Sequence, residues 1–278
     1  MITIIADSGS CWKASPDEPL DLGWDRMCRL MDATKAAGAQ VFKPQAYVAD
    51  LMYPKGTKEH NLLKQYELPS EWLPQIKAEC DDRGLEFMAT IYHPSHVPLI
   101  DPLVSRWKVA SFENEHAGLR KAIAATGKPV IVSTGGIDSG RARELELAWY
   151  SSVGSSGLTF LHCVSSYPAK PEQMNLRVIG VWNEMYGPTM GLSDHTLGHT
   201  AAVMAVALDA PMIEKHIKAA DSGNGPDAHF AAGPATFAGY CAKIRLASDM
   251  LGDGEKRVMD GEMAQWRWNP ETGLRGTA

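Results

Sequence analysis

Two histidines that each close an apolar, β-branched run are the residues best placed to bind a metal ion. His195 follows the run Thr189–Ser193, and His216 ends the next run, Pro211–His216. If these runs are neighbouring parallel strands, both imidazoles reach the same edge of the sheet. Two histidines with open positions suit a divalent cation that also binds water and substrate. A histidine satisfied inside the core is the ordinary alternative for either residue alone, and His162 fits such a packing or supporting role.

Two lysines follow or occupy predicted strands and are candidates for binding an anionic substrate. Lys108 lies inside the run Arg106–Ala110, where an ammonium group must be paired or must reach solvent. Lys43 directly follows the run Gln40–Phe42, and a solvated loop lysine is its simpler interpretation. The pair Gly135-Gly136 suits either a plain turn or a close approach of the backbone to an anion.

Polar residues follow all eight predicted strands, which indicates a polar pocket at one end of the sheet. A serine or threonine after a strand is also a common helix cap or turn former. The segment Gly223–Phe230 suits a tight loop that offers the Asp227 carboxylate to hydroxyl groups, or an ordinary turn. The other polar residues at or just after the strand ends include Asp7, Gln45, Thr90, Tyr92, Ser111, Glu113, Ser133, Ser165, Tyr167 and Ser193.

The elements that must position these residues are short apolar runs alternating with helical patterns. Such runs predict a parallel sheet buried on both faces. Eight of them in a chain of 278 residues predict an α/β protein with a single-domain (β/α)8 TIM barrel, and a doubly wound sheet is the alternative. We predict a catalytic barrel over residues 1–251 and a C-terminal tail over residues 252–278. The remaining predicted strands are Ile2–Ala6, Glu86–Thr90, Pro129–Ser133 and Leu158–His162.

Composition excludes several classes of protein. The net charge of −6, without a run of Lys or Arg, argues against a nucleic-acid partner. Five scattered cysteines without a C-x-x-C pair predict reduced thiols and a cytoplasmic location. The N-terminus lacks a signal-peptide pattern and no stretch approaches the roughly 18 apolar residues of a membrane span, so we expect no membrane partner. The long polar connection Val48–Leu68 is expected to be functional or disordered.

Several motifs closely resemble the barrel domain of the N-acetylneuraminate (sialic acid) synthase family. The longest are FLHCVSSYPAKPEQMNLRVI, GLSDHTLGHTAAVMAVALDAPMIEKHI and GPDAHF, and KPQ, MATIYH, WKVASFE and GKPVIVSTGG match further points in the same order. The resemblance runs from about Ile2 to Leu251. It implies a transferase of carbohydrate biosynthesis that condenses phosphoenolpyruvate with an N-acylated sugar aldehyde, giving a nonulosonic (sialic-type) acid and phosphate. It also implies a divalent metal, most often Mn2+ with Mg2+ or Co2+ as alternatives, and a possible homodimer.

The resemblance also implies a role for each matched residue. His195 and His216 match the metal-binding histidines. The residues that surround phosphoenolpyruvate are matched by Lys43, Lys108, Thr90, Ser111, Ser133 and Ser193. Positions near the acceptor or the reacting carbons are matched by Gln45, Ser165, Tyr167, Glu113 and Asp227, and Tyr92 is expected to bind substrate. Asp7 stands where the family has a glutamate, and the resemblance leaves open whether Asp7 or Glu113 transfers the proton.

Three departures from the family pattern bear on the acceptor. Asp7 is one methylene shorter than the family's glutamate, and the Asn-His pair after it is missing from ADSGSCWKAS. Phe112 replaces a small residue. The resemblance ends before the family's antifreeze-like C-terminal domain, which supplies an arginine to the sugar, and Arg267 and Arg275 are candidate substitutes. We therefore expect an active enzyme whose acceptor differs from N-acetylmannosamine, or whose acceptor specificity is looser.

Two other functions are compatible with the sequence. A sugar-binding barrel without turnover is one, but a pure scaffold has no physical need for both histidines and both lysines. A metal-dependent aldolase that uses pyruvate is the other, and release of phosphate separates it from the synthase.

Overall fold

The computed structural model of the protein describes residues 2–154, 157–187, 189–259, 261–262, 268–269 and 271–275. Its main sheet contains ten short parallel strands: β1 (Thr3–Asp7), β2 (Val41–Lys43), β3 (Gln45–Ala46), β4 (Glu86–Phe87), β5 (Thr90–Ile91), β6 (Trp107–Val109), β7 (Val130–Ser133), β8 (Leu158–Cys163), β9 (Met190–Asp194) and β10 (Met212–His216). The α-helices are α1 (Leu20–Ala36), α2 (Ala49–Met52), α3 (Lys58–Gln65), α4 (Trp72–Asp82), α5 (Val97–Ile100), α6 (Ala117–Ala124), α7 (Ser139–Val153), α8 (Arg177–Tyr186), α9 (Thr200–Val206) and α10 (Pro234–Leu251).

The ten strands occupy eight positions around a closed barrel. β2 and β3 are one stretch of chain interrupted at Pro44, which has no N–H to donate to the ladder. Hydrogen bonds nevertheless continue across the interruption, from Met88 N to Phe42 O and from Thr90 N to Pro44 O, both at 3.0 Å. Since β1 pairs with both β10 and β2, the ring is complete. The predicted (β/α)8 barrel is confirmed, with its second and third strands each divided in two.

Alternation along the strands separates two apolar cores. Side chains that point outward, such as Ile4, Phe42 and Trp107, pack under the helices in the large core. Side chains that point inward at the amino ends of the strands form a small apolar floor inside the barrel, consisting of Ile5, Val41, Met88, Ile131, Leu161 and Met212. The barrel is therefore filled below and leaves room only at its carboxyl end.

The long polar connection predicted at Val48–Leu68 folds into α2 and α3 rather than remaining irregular. α3 begins at Thr57, whose hydroxyl accepts a hydrogen bond from His60 N at 3.2 Å and so satisfies one free N–H of the first turn. His60 in turn contacts the Asp50 carboxylate at 2.9 Å, which joins α3 to α2. This segment is therefore ordered, and three of its side chains, Met52, Tyr53 and Leu63, line the cavity of the barrel.

The C-terminal tail contributes a short antiparallel pair, β11 (Trp268–Asn269) with β12 (Leu274–Arg275). Arg267 and the side chain of Arg275 lie outside the described part of the chain. Within the described residues, no helix combines the length and the apolar composition needed to cross a membrane.

Candidate active site

A layer of polar side chains lies directly above the apolar floor of the barrel. Inward-facing residues recur every second position along a strand, so each member of this layer stands two residues after a floor residue. Asp7 follows Ile5 in this way, and Lys43 follows Val41. The same step gives Thr90, Ser133, Cys163 and Glu214 on the other strands. Together they form the base of a cavity of about 420 Å³ at the carboxyl end of the strands.

Lys43 is the most completely bonded member of this layer. It is 1% exposed, and its ammonium donates to the Asp7 carboxylate at 2.6 Å and to the Thr90 hydroxyl at 2.5 Å. Asp7 also accepts from Gly9 N at 2.8 Å, and Gln45 Nε2 lies 3.3 Å from it. Burial alone lowers the pKa of Lys43, but the carboxylates of Asp7 and Glu214 outweigh it and raise the pKa. Lys43 is thus a fixed cation at the floor of the cavity.

Glu214 is a buried carboxylate that lines the cavity and is not among the predicted site residues. It lies between the two lysines, 3.6 Å from Lys43 Nζ and 3.4 Å from Lys108 Nζ, and it accepts from the Ser193 hydroxyl at 3.1 Å. Burial raises its pKa, whereas the two ammonium groups lower it, and the net effect is a lowered pKa. The available signal was its spacing of two from His216, which places both side chains inside the barrel.

Lys108 is held less tightly than Lys43. Its ammonium donates to the Ser133 hydroxyl at 2.9 Å and to the Val109 carbonyl at 3.3 Å. Burial lowers the pKa of Lys108, and the nearby Glu214 carboxylate offsets this lowering only in part. Its pairing with Glu214 explains how a lysine is accommodated inside a strand.

The two histidines are brought together as predicted. The ring centroids of His195 and His216 lie 5.4 Å apart. Nδ1 of His195 is 2.9 Å from the carbonyl oxygen of Val164, the arrangement in which metal-ligating histidines donate one ring N–H and present the other nitrogen. Nδ1 of His216 is buried without a hydrogen-bond partner and lies 3.9 Å from the Asp227 carboxylate. A buried imidazole nitrogen without a hydrogen-bond partner suits a metal ligand.

The donor set suits a cation held by few protein ligands. Among the described residues, no cluster of three or more His, Cys, Asp or Glu side chains forms a complete metal cage. Two imidazoles that leave positions open for water or substrate remain compatible with a catalytic divalent ion.

The loop carrying Asp227 is fastened to the chain after β1. Its carboxylate accepts from Ser10 N at 2.6 Å, and its own N–H donates to the Ser10 hydroxyl at 3.0 Å. Gly9 has φ +47° beside this contact, and a Cβ at Gly9 would stand 2.4 Å from Oδ2 of Asp227. Only glycine therefore fits between Asp7 and the Asp227 loop.

Aromatic rings form one wall around the histidines. Tyr167 packs on His195 with centroids 4.4 Å apart, and Phe230 packs on His216 at 4.8 Å. Phe230 ends the segment Gly223–Phe230, in which the sequence alone predicts a role only for Asp227. His229 contacts the Tyr167 carbonyl at 2.9 Å and also lines the cavity. This wall restricts how a substrate approaches the imidazoles.

The mouth of the cavity is largely apolar. Met52, Tyr53 and Leu63 reach it from the segment that contains α2 and α3. Phe112 also lines the cavity, although its side chain is 75% exposed. The half-buried Tyr92 also lines the cavity, and desolvation raises its pKa, so its hydroxyl stays protonated.

Thirteen of the fifteen predicted site residues line this cavity; Glu113 and Ser165 do not. Glu113 follows the lining residues Ser111 and Phe112, and its Oε2 is buried without a partner. Burial raises the pKa of Glu113 to about 7. Ser165 stands behind Gly135, where a Cβ on the glycine would lie 2.2 Å from its hydroxyl. The N–H of Gly135 donates to the Ser111 hydroxyl at 3.1 Å.

Comparison with known proteins identifies relatives of this barrel. Residues 30–256 match the model of the NeuB family. Pseudaminic acid synthase of Campylobacter jejuni is 34% identical over 82% of this chain and 70% of its own length. N,N'-diacetyllegionaminic acid synthase of Legionella pneumophila is 30% identical over 84% and 71%, respectively. The crystal structure of N-acetylneuraminic acid (sialic acid) synthetase from Leptospira borgpetersenii superposes with a TM-score of 0.83 and 25% identity, over 93% of this chain and 88% of that one.

Proposed function

The chain belongs to the NeuB family, and from that premise we propose that it condenses phosphoenolpyruvate with an open-chain N-acylated sugar aldehyde. The products are a nonulosonic acid and inorganic phosphate. One observation carries the proposal: Lys43 and Lys108 share a cavity floor with several hydroxyl groups, and His195 and His216 stand in the same cavity. The relatives include a pseudaminic acid synthase and an N,N'-diacetyllegionaminic acid synthase, which supports the same chemistry.

The floor of the cavity is suited to hold phosphoenolpyruvate. Lys43 and Lys108 provide two cations, and Thr90, Ser133 and Ser193 provide hydroxyl donors within the same layer. Charge-assisted hydrogen bonds of this kind fix a phosphate or a carboxylate in position as well as binding it. Holding the enol carbon next to the acceptor carbonyl replaces a bimolecular encounter by an oriented one.

The two histidines are the residues that would hold a divalent cation, which we propose to be Mn2+. When bound, such a cation polarises a carbonyl oxygen and stabilises the negative charge that develops on it. The aromatic wall of Tyr167 and Phe230 excludes water from the imidazoles on one side. The aldehyde of the acceptor is therefore expected beside the two histidines, where His216 lies 3.5 Å from the Asp7 carboxylate that binds Lys43.

The two candidates for proton transfer, Asp7 and Glu113, have pKa values shifted in opposite directions. Carbon–carbon bond formation leaves an electron-poor carbon on the donor, water adds to that carbon, and its C–O bond to phosphate then breaks. Despite burial, which raises its pKa, Asp7 has a lowered pKa because of the neighbouring Lys43 ammonium, so it is a poor base. Glu113 directly follows the lining residues Ser111 and Phe112, and burial raises its pKa to about 7, which suits a group whose side chain turns into the cavity to accept the proton of the attacking water. We assign that role to Glu113 and an orienting role to Asp7.

The acceptor side supports a substrate other than N-acetylmannosamine. Phe112, Met52, Tyr53 and Leu63 all line the cavity and add apolar surface to it. Asp7 has its carboxylate occupied by Lys43 and Gly9. Turnover of N-acetylmannosamine at about 1 per second or faster, a typical enzymatic rate, would contradict the proposed difference in acceptor.

The deciding experiment measures inorganic phosphate released from phosphoenolpyruvate with Mn2+ and a panel of N-acylated sugars. Release is expected only with both acceptor and metal, and His195→Ala is expected to abolish it. Formation of a sugar acid from pyruvate without phosphate release would identify an aldolase instead. No release with any sugar, while phosphoenolpyruvate still binds, would point to a barrel that binds without turnover.

A further inference from the structure

A charged network lies on the outside of the barrel directly behind the two histidines. Ser193 and His195 at the end of β9, and Glu214 and His216 in β10, line the cavity inside the barrel. The alternate residues Asp194 and Lys215 therefore point outward toward the helices. Asp194 is 1% exposed and Lys215 is 2% exposed.

Charged side chains at these positions are exceptional in this barrel. The corresponding outward positions of other strands hold apolar residues, for example Ala6, Val109 and Val132 in the core under the helices. A buried ion pair recovers its desolvation cost only with good geometry and further hydrogen bonds, and apolar residues of similar volume often replace one without loss of stability. Stability of the fold is therefore a weak explanation for Asp194 and Lys215.

The hydrogen bonds of the network converge on the residues that flank the histidines. Asp194 and Lys215 face each other on the same rung of the β9–β10 ladder, with Nζ 3.2 Å from Oδ2. The other oxygen of Asp194 accepts from Thr196 N at 2.8 Å and from the Thr196 hydroxyl at 2.7 Å. Lys215 also donates to the Thr196 carbonyl. His195 is thereby held between two residues that are bonded to each other and to the neighbour of His216.

A third element ties the network to the outer ring of helices. Tyr240, in the second turn of α10, donates its hydroxyl to Oδ2 of Asp194 at 2.9 Å and is 1% exposed. The Lys215 ammonium stands over its ring, 5.3 Å from the centroid. The position of the two strand ends is thus fixed from both the sheet and the helix layer.

We propose that Asp194, Lys215 and Tyr240 are positioning residues that set the spacing of His195 and His216 for cation binding. This inference rests on the proposed metal site but does not depend on which sugar is the acceptor. None of the three residues lines the central cavity, so their effect passes through the backbone next to each histidine. Supporting residues of this kind typically change metal affinity by about 10–100-fold when they are replaced.

Titration calorimetry with MnCl2 on the full chain tests the proposal. Tyr240→Phe keeps the ring and removes only the hydroxyl, and Lys215→Met removes the ammonium. Each variant is expected to raise the Kd for Mn2+ about 10-fold or more, with an unchanged far-ultraviolet circular dichroism spectrum. In activity assays the Mn2+ concentration for half-maximal rate should rise in parallel, while the KM for phosphoenolpyruvate stays constant.

Arg106→Met is the matched control. It breaks a bidentate ion pair with Glu86 at 2.7 and 2.6 Å, at the opposite end of the barrel strands, and should leave the Kd for Mn2+ unchanged. Should Lys215→Met fail to fold, Tyr240→Phe alone decides the question. A Tyr240→Phe protein with the Mn2+ affinity of the wild type overturns the inference. Undiminished Mn2+ binding by His195→Ala would instead overturn the metal site itself, so the two failures are distinguishable.

Discussion

Charge at the cavity floor is balanced residue by residue. Lys43 and Lys108 face the carboxylates of Asp7 and Glu214, so the four buried groups together carry no net charge. Phosphoenolpyruvate is an anion, and its charge must therefore be met by further groups. The proposed cation at His195 and His216 and the hydroxyl donors of the floor are the groups available for this.

Glu113 gives a prediction for the pH dependence of catalysis. Burial raises the pKa of Glu113 to about 7, so its carboxylate form, the form that accepts a proton, is lost as the pH falls through 7. The kcat/KM of the wild type is therefore expected to decrease below about pH 7. Glu113→Gln should lose about 10²–10⁴-fold in rate, the usual contribution of a general base, and should lose this limb of the pH profile. An unchanged limb in Glu113→Gln would falsify the assignment.

The same carboxyl group has an independent effect on stability. Its pKa is 4.5 ordinarily and about 7 in the folded protein, so between these values the unfolded chain binds fewer protons than the folded one. The free energy of unfolding should fall as the pH rises from about 4.5 to 7 and should then stay level with respect to this group. Denaturant titrations across that range should show a shallower fall for Glu113→Gln, by on the order of 2 kcal/mol. Equal slopes in both proteins would mean that folding does not raise the pKa of Glu113.

At the scale of elements, the α2–α3 segment provides part of the mouth of the cavity. Leu63 lies in α3, and Met52 and Tyr53 lie at the end of α2. The position of α3 depends on its first turn, which Thr57 caps. The hydrogen bond from His60 N to the Thr57 hydroxyl therefore helps to place Leu63 at the cavity, although it lies outside the cavity itself.

Thr57→Ala is expected to raise the KM for the acceptor several-fold and to leave the KM for phosphoenolpyruvate unchanged. Loss of the cap destabilises a helix by about 1 kcal/mol, which is enough to displace Leu63 from the mouth part of the time. Initial-rate measurements with each substrate varied in turn would check this. Asp138→Ala is the matched control, because it removes the cap of α7, whose residues do not line the central cavity. A parallel rise in both KM values would contradict a local effect at the mouth of the cavity and would indicate that the substitution destabilises the whole fold.

At the scale of the whole molecule, binding of the proposed cation is expected to be coupled to folding of the barrel. His195 and His216 come together only when β9 and β10 are paired in the folded barrel, so the unfolded chain has no comparable cation site. A ligand that binds only the folded state at 100 times its Kd stabilises that state by about 2.7 kcal/mol. Cation binding at the proposed site should therefore raise the thermal stability of the entire chain.

Addition of Mn2+ at saturating concentration should raise the Tm by roughly 5 °C or more, on the usual relation between free energy and Tm for a chain of this size. Differential scanning calorimetry with and without Mn2+ would measure the shift, and chelation should reverse it. His195→Ala should show almost no shift. A shift of the same size in His195→Ala would indicate that Mn2+ binds elsewhere on the folded protein.

Sequence patterns are sufficient to predict the barrel and most of the residues that line its cavity. Alternating apolar runs and helical patterns allow few architectures, and parallel strands bring residues that are far apart in sequence, such as Asp7 and His216, to one edge. Motif resemblance then supplied roles that spacing alone left open. For this reason thirteen of the fifteen predicted residues line one cavity.

Tertiary structure alone decided which of these residues pair with each other. The place of Glu214 between two lysines depends on distances across several strands, which no local pattern encodes. The position of α2 and α3 over the cavity, and the network of Asp194, Lys215 and Tyr240 behind it, are contacts between elements far apart in sequence. Local propensity and periodicity predict elements and faces, whereas the pKa of a buried group and the aim of a side chain follow from the complete packing around it.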